Sequence, residues 1–106
     1  MANRCIFVGY VGEVDAKVLP NGTPKLKFGV GVNRPGKDKH TDWINCVIWG
    51  KGVDAHENYL KKGRHVYIEA KLEVNVMENK TRFYDFIVDK LEYLDTNKAR
   101  TDSPEE

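Results

Sequence analysis

Two tryptophans, Trp43 and Trp49, are the residues of this 106-residue chain whose type and spacing suggest a chemical role. They lie six residues apart in a run of β-branched and aromatic residues that ends at Gly50, which predicts a β-strand. Side chains alternate along a strand, so both indoles point to one face. The other face carries the core-type residues Ile44, Cys46 and Ile48. Two outward aromatic rings followed at once by Lys51 suggest a surface on which nucleic-acid bases stack, and the alternative is burial of both indoles in the core or at a subunit contact.

The charge distribution supports a polyanionic ligand better than the net charge of +1 does. Residues 24–51 contain six basic and two acidic residues, a balance of +4, whereas residues 95–106 contain two basic and four acidic residues, a balance of −2. Local fields steer a polyanion more than the net charge does. The alternative is that these charges are only solvated surface groups. The candidates for phosphate neutralisation are Lys25, Lys27, Arg34 and Lys51.

Catalytic and metal-binding patterns are missing from the sequence. The three histidines form no His-x-x-x-His pair, and Cys5 and Cys46 lie too far apart to begin a metal cluster. We expect both cysteines to be free thiols rather than a disulfide. Ser103 is the only serine and lies near the end of the chain. We therefore expect no enzyme, no metal and no cofactor.

Alternating apolar residues predict five strands, over residues 4–19 with a bend or bulge at Gly12, 25–32, 41–51, 65–74 and 82–94. Turn residues at 20–23 and 77–80 predict two hairpins. One helix is expected over residues 54–62, with Asp54 as its N-cap and Gly63 at its end. Tyr59 and Leu60 are expected to dock this helix on the barrel. A single helix between the third and fourth of five strands is the order of an all-β, five-stranded OB-fold barrel. An SH3-like barrel and a small sandwich remain alternatives.

Two strands carry further detail. Gly29 and Gly31 share a face with the lysines of the second strand, either to let a DNA strand approach or to let a barrel strand coil. On the fourth strand the expected core residues are Val66, Ile68, Ala70, Leu72 and Val74.

The domain organisation follows from composition. Residues 1–94 form one expected domain, and residues 95–106 form a short acidic tail without large apolar residues, which we expect to be disordered. No apolar run approaches the roughly 20 residues that span a bilayer, and no separate signal region precedes the first strand. We expect a cytoplasmic protein without a membrane partner.

Six segments form an ordered set, namely residues 4–12, 19–22, 41–43, 49–51, 59–63 and 66–69, with the sequences RCIFVGYVG, LPNG, TDW, WGK, YLKKG and VYIE. In their order and spacing, these segments resemble those of bacterial-type single-stranded DNA-binding proteins. The resemblance implies an OB-fold domain that binds and protects single-stranded DNA without catalysis and with little sequence preference, in replication, recombination or repair. It also implies a homo-oligomer, with a tetramer favoured and a dimer as the alternative.

The resemblance also assigns site residues. Trp43 matches a stacking tryptophan, and Trp49 falls where the family usually has another aromatic residue. Basic positions of the family are matched by Lys51, Arg4 and Lys62, and Arg82 is a further candidate. Two stacking tryptophans of the family are replaced by Gly36 and Met77, of which Met77 is expected to contact a base apolarly. The binding surface is therefore expected to be smaller or weaker.

The C-terminal residues depart from the family in a second way. They lack the long linker and the terminal apolar residues that dock replication partners, so we do not expect recruitment through the tail. Such a compact form suits a phage, plasmid or otherwise divergent version. The alternatives are a dimeric primosome-type OB accessory protein and an interaction domain that binds a protein through its aromatic face. Tyr67 and Glu69 lie on a strand face that either pairs between subunits or faces solvent.

Overall fold

The structure, a computed structural model, describes residues 1–36 and 39–95. Its five strands close into a barrel in the order β1-β2-β3-β5-β4, which confirms the predicted OB-fold arrangement over a sandwich. No helix in these two ranges is long and apolar enough to cross a membrane. The elements are β1 (Cys5–Val18), β2 (Pro24–Asn33), β3 (Thr41–Trp49), α1 (Lys51–His56), β4 (His65–Val76) and β5 (Arg82–Tyr93).

Both hairpin turns lie where the turn residues predict them. The amide of Thr23 donates to Asn21 Oδ1 at 3.0 Å, between β1 and β2. The amide of Thr81 donates to Asn79 Oδ1, also at 3.0 Å, between β4 and β5. Asparagine stabilises both turns by accepting a hydrogen bond from the backbone two residues on.

Strand β1 is shared between two sides of the barrel. Its first residues pair with β4 and its later ones with β2, and the register with β2 shifts between Val11 and Val14. The shift confirms the bulge predicted at Gly12. Gly9 lies so close to the Gly31 carbonyl that a side chain at Gly9 would meet the backbone of β2. The barrel thus depends on glycine where these two strands approach each other.

The core follows the predicted alternation on the inner faces of the strands. Val30, Val66, Ile68 and Ala70 are fully buried. Burying a Val, Leu or Ile side chain contributes about 1.5–3 kcal/mol. Cys46 is also buried, and this burial raises the pKa of its thiol to about 12. Both cysteines are free, as predicted.

One helix lies between β3 and β4, as predicted, but its predicted bounds of residues 54–62 are wrong. The helix begins at Lys51, its N-cap is Gly50 with φ 61°, and no side chain caps it. Glycine tolerates this left-handed conformation, so the chain turns from β3 into α1 at once and Val53 reaches the core. Asp54 consequently lies in the first turn instead of capping the helix.

The segment after α1 also differs in part from the prediction. Leu60, expected to dock the helix on the barrel, is buried but lies beyond the helix end. Tyr59, expected to pack beside it, is 59% exposed. The segment therefore contributes one side chain to the core from a hydrogen-bonded turn, in which the Leu60 amide donates to the His56 carbonyl at 2.8 Å.

The hairpin of β4 and β5 extends beyond the barrel as an arm, residues 72–85. Strand β4 pairs with β1 only as far as Ala70, and β5 pairs with β3 only at Phe86 and Ile87. Past these points the two strands pair only with each other. Val74, predicted as a core residue, is 48% exposed because no third strand covers the arm there. The alternation that predicted its burial continues past the end of the core.

Candidate functional site

The outer surface of β2 and β3 carries both tryptophans and two lysines, and we call it the aromatic face. Trp43 is 61% exposed and Trp49 is 39% exposed. The antiparallel register sets Lys25 opposite Trp49 and Lys27 opposite Val47. Val47 lies between the two tryptophans on this face and is buried, so its side chain is not open to a ligand. Burial of the indoles in the core of this chain is excluded, and both rings are available to a flat ligand.

Trp43 rests on three glycines, Gly12, Gly29 and Gly31, which we call the glycine seat. The outer carbons of its six-membered ring, Cε3, Cζ3 and Cη2, lie against all three. Gly31 is directly opposite Trp43 in the register of β2 and β3. The two expected reasons for glycine on β2 were approach of DNA and coiling of the strand. The structure adds a third, which is room for an indole.

Trp49 has a charged neighbour instead. Lys25 Nζ lies 4.7 Å from the centroid of the Trp49 ring. A cation held over an indole at an exposed site is worth about 0.5–1 kcal/mol. The lysine covers part of this ring and holds positive charge directly beside it.

A recess of about 400 Å³ adjoins Trp43, and its lining residues are Gly12, Glu13, Gly29, Trp43 and Lys62. Lys62 Nζ donates to Glu13 Oε1 at 2.8 Å. This hydrogen bond and the lysine charge lower the pKa of Glu13, and the same bond and the carboxylate charge raise the pKa of Lys62. Both side chains are exposed to solvent, so the pair is weak. Lys62, predicted only from a family position, is thus brought to the same place as Trp43.

Arg34 makes the best-formed ion pair of the site. Its Nε and Nη2 donate to the two carboxylate oxygens of Asp42 at 2.8 and 2.9 Å. The hydrogen bond from Arg34 lowers the pKa of Asp42, and the same bond raises the pKa of Arg34. His40 Nε2 lies 3.3 Å from the same carboxylate. The charge of Arg34 is therefore largely matched before any ligand arrives.

The remaining predicted cations divide into two groups. Across residues 1–36 and 39–95, no carboxylate lies within 4.0 Å of Lys25, Lys27, Lys51 or Arg82. Arg4, in contrast, lies 3.9 Å from Glu69 on the surface of β1 and β4, away from the tryptophan-bearing strands. Met77 and Arg82 lie on the arm, where Met77 is exposed.

The sequence interpretation missed several residues that belong with the site. Gly12 and Glu13 line the recess beside Trp43. The sequence predicts the bulge at Gly12, but no local pattern indicates that this part of β1 lies beside an indole of β3. Phe83 and Tyr84 are each 49% exposed on the arm. A signal for these two existed, because adjacent residues on a strand point to opposite faces and one aromatic had to face outward. Within the described residues, no group of three or more His, Cys, Asp or Glu side chains is placed to hold a metal ion.

Comparison with known proteins decides the family. A sequence profile described as the single-strand binding protein family matches residues 2–93. The chain belongs to this family. The match extends from before β1 to the end of β5, so it includes both tryptophans and the whole barrel.

Individual family members agree over most of the chain. The single-stranded DNA-binding protein of Oceanobacillus iheyensis is 31% identical over 109 residues, covering 94% of this chain and 68% of that protein. That of Bacillus cereus is 36% identical over 83 residues, covering 74% of this chain and 49% of that protein. This chain therefore aligns with about half the length of the Bacillus cereus protein.

A solved structure shares the fold. The structure described as a Plasmodium falciparum SSB complex with ssDNA superposes with a TM-score of 0.78 at 28% sequence identity. The superposition covers 90% of this chain and 96% of that one. Nearly all of that chain therefore superposes on the fold described above.

Proposed function

We propose that this chain binds single-stranded DNA on the aromatic face, without catalysis and with little sequence preference. The observation that carries the proposal is the outward position of Trp43 and Trp49 on one strand face, with lysines in cross-strand register beside them. Every base has a π-face, so stacking on indoles holds a strand without reading its sequence. The names of the relatives support the ligand, because those proteins are described as single-stranded DNA-binding proteins.

Phosphate neutralisation is the second part of the proposal. Lys25, Lys27 and Lys51 have no carboxylate partner among the described residues and meet phosphates first. Arg34 and Lys62 contribute when a phosphate replaces Asp42 or Glu13. Arg4, Met77 and Arg82 are second-rank contacts. Each neutralised phosphate releases counterions, so binding weakens as salt rises.

Quenching of tryptophan emission by oligo-dT tests the proposal directly. Stacked bases should quench the emission strongly at low salt, and duplex DNA of the same length should quench much less. A Trp43→Ala variant should bind oligo-dT weakly while keeping its assembly state. Absence of quenching, or equal quenching by duplex DNA, overturns the proposal. Loss of assembly with unchanged DNA binding favours a protein-interaction domain instead.

The biological role proposed is protection of single-stranded DNA during replication, recombination or repair. It is supported by family membership and by the ssDNA named in the Plasmodium falciparum complex. The chain aligns with about half of some relatives, so the activities of those whole proteins are carried over only as proposals. Binding partners recruited through a C-terminal tail are not part of the proposal.

We also propose the division into a binding domain over residues 1–94 and an acidic tail over residues 95–106. The tail from residue 96 onward lies outside the described residues. Asp95 accepts hydrogen bonds from Arg64 Nε at 3.0 Å and from the His65 amide at 3.1 Å. Burial alone would raise the pKa of Asp95, but these hydrogen bonds lower it. A truncated chain for binding measurements should therefore retain Asp95.

A homo-oligomer is proposed through the outer surface of β1 and β4. Ile6, Val8 and Tyr10 are all about half exposed in one row, at 55%, 46% and 52%. In the described structure residues 5–8 pair on one side only, with β4. An apolar row beside an unpaired strand edge favours a second copy of the chain as its cover. A tetramer is favoured, with a dimer as the alternative.

Light scattering tests the assembly. An Ile6→Lys variant should shift the molar mass toward the monomer with a nearly unchanged melting temperature. Val18→Lys is the matched control, because Val18 is 72% exposed on the same strand but lies where β1 pairs with β2. A wild-type mass equal to one chain, with and without oligo-dT, rejects the oligomer.

A further inference from the structure

The glycine seat leaves no room for side chains beneath Trp43. A Cβ atom built on Gly12 would lie 2.7 Å from Trp43 Cζ3. One built on Gly31 would lie 3.1 Å from Trp43 Cζ3 and Cη2 and equally close to Thr41 Cγ2. One on Gly29 would lie 3.4 Å from Cε3, which is ordinary contact. The indole thus rests against the backbone of β1 and β2. The space left for a side chain is smallest at Gly12, larger at Gly31 and largest at Gly29.

Two separate features of the fold build the seat. The register of β2 and β3 puts Gly31 opposite Trp43 and Gly29 opposite Asn45, on the same face. The bulge between Val11 and Val14 brings Gly12 of β1 against the same outer carbons of the ring. A bulge redirects the strand locally, which is a common way to aim a neighbouring group.

The seat matters because Trp43 has little else to hold it. The residue is 61% exposed, so its surroundings are mainly solvent apart from this contact. A methyl group on Gly12 cannot be accommodated by the backbone without disturbing the barrel, whereas the indole can move by rotating about χ1 and χ2. A displaced indole then presents its ring at a different place to an incoming base.

We propose that Gly12 and Gly31 are positioning residues that hold the Trp43 ring where a base stacks on it. The proposal rests on the proposed DNA binding for its consequence, but the seat itself is testable without DNA. Stacking requires the ring at a fixed distance and angle from the base. A ring that the seat already holds in place loses less conformational freedom when DNA binds, which favours binding. The glycines are therefore required for ring placement as well as for strand geometry.

The experiment substitutes each seat glycine by alanine in a Trp49→Phe background, in which Trp43 is the only tryptophan. Acrylamide quenching and near-UV circular dichroism of Trp43 report the ring environment without DNA. Both should change most for Gly12→Ala, less for Gly31→Ala and least for Gly29→Ala, which is the matched control. Oligo-dT affinity should fall in the same order, by about fivefold to tenfold for Gly12→Ala, within the range that one stacked base can contribute.

Rescue by a smaller ring separates positioning from folding. Phenylalanine lacks the outer carbons that a new methyl group meets, so Trp43→Phe combined with Gly12→Ala should recover the melting temperature that Gly12→Ala alone loses. If Gly12→Ala does not fold, Gly31→Ala and its own Trp43→Phe double variant carry the test. Both are then made in a Thr41→Ser background, because the Thr41 methyl group would also meet a Cβ atom on Gly31 at 3.1 Å. Equal effects of all three alanines on the ring signal, or no rescue by Trp43→Phe, overturn the proposal. An oligo-dT affinity unchanged by Trp43→Ala would instead reject the proposed function and leave the seat standing.

Discussion

The two ends of β3 carry the same residue type in different surroundings. Trp43 stands opposite Gly31, rests on backbone and remains 61% exposed. Trp49 stands opposite Lys25, whose ammonium group lies over its ring, and is 39% exposed. Both indoles point to one face, yet the Trp43 ring rests on glycine backbone, whereas the Trp49 ring is partly covered by the Lys25 ammonium group.

The difference shows that the residue opposite each indole on β2 determines how much of the ring surface is open to a ligand and whether a charge lies beside it. Cross-strand pairs are the unit in which neighbouring side chains interact on a sheet. In the proposed binding mode, a base stacked on Trp43 would displace only water, whereas a base on Trp49 would use the uncovered part of the ring and bring its phosphate toward Lys25. We therefore expect stacking to dominate at the Trp43 end and charge to dominate at the Trp49 end.

The largest expected effect is that of Trp43→Ala on oligo-dT affinity. Loss of one stacked base costs about 1–3 kcal/mol, which corresponds to about 5- to 140-fold weaker binding. Trp49→Ala should weaken binding less, because the ring is less exposed. Fluorescence anisotropy with a labelled oligo-dT at one fixed salt concentration measures both. An equal or larger loss of affinity in Trp49→Ala would contradict the expected difference between the two tryptophans.

The next effect concerns Lys25. Lys25→Gln should lower the magnitude of the salt slope of log affinity by about 0.7, the value for one phosphate on a single strand. The same change should leave the stacking signal of Trp43 unaltered, because Lys25 lies at the other end of the face. Titrations at several salt concentrations give the slope. Lys17→Gln is the control, since Lys17 is paired with Asp15 at 3.4 Å. A slope as steep as that of the wild type argues against phosphate contact at Lys25.

A smaller effect in the opposite direction is expected from Glu13→Gln. Freed from this carboxylate, Lys62 can meet a phosphate without exchange, so affinity at low salt should rise severalfold at most. Lys62→Gln and the double variant complete the cycle, and the gain should vanish when Lys62 is absent. Affinity that falls in Glu13→Gln would show that Glu13 supports binding.

The pH dependence of this pair follows from its pKa shift. Lys62 holds the pKa of Glu13 below its ordinary value of 4.5, so the pair is intact at neutral pH. Its contribution to the folded state is lost only as pH falls through that lowered pKa. Removal of Glu13 should therefore change binding at pH 7 and have no further effect at strongly acidic pH, provided that the fold persists.

The smallest expected effect lies on the inner face of the same strand. Cys46 sits between the two tryptophans but is buried, and burial raises the pKa of its thiol to about 12. The thiolate is the reactive form, so Cys46 should resist alkylation at pH 8 with and without oligo-dT. Mass spectrometry of iodoacetamide-treated protein distinguishes it from Cys5. Rapid labelling of Cys46 in the folded protein would show that the barrel opens at β3.

Much of the fold was predictable because burial imposes alternation on strands. The order of elements, both hairpins, the outward direction of the two indoles and the bulge at Gly12 all follow from local residue patterns. The family resemblance was confirmed by the profile match over residues 2–93. These features share one property, which is that a short segment contains the information that determines them.

The misplaced features depend instead on contacts between distant segments. The capping signal at Asp54 was overridden by Gly50, whose left-handed backbone starts the helix earlier so that Val53 is buried. Val74 continues the apolar alternation of β4 but extends beyond the strand that would have covered it. The glycine seat joins residues from β1 and β2 to a side chain of β3, and alternation within one strand contains no sign of it.

The strand order of the barrel also constrains when it can form. Of the five strands, β5 is the last to be synthesised, yet it lies between β3 and β4 in the barrel. Its parallel pairing with β3 consists of two register pairs, Cys46 with Phe86 and Val47 with Ile87. Translation proceeds at roughly 5–20 residues per second, so one edge of β3 and one edge of β4 remain unpaired until β5 leaves the ribosome. The barrel cannot close before β5 is available, so the unfinished chain exposes unpaired strand edges, which can pair with other chains, for about the seconds that synthesis of β5 takes.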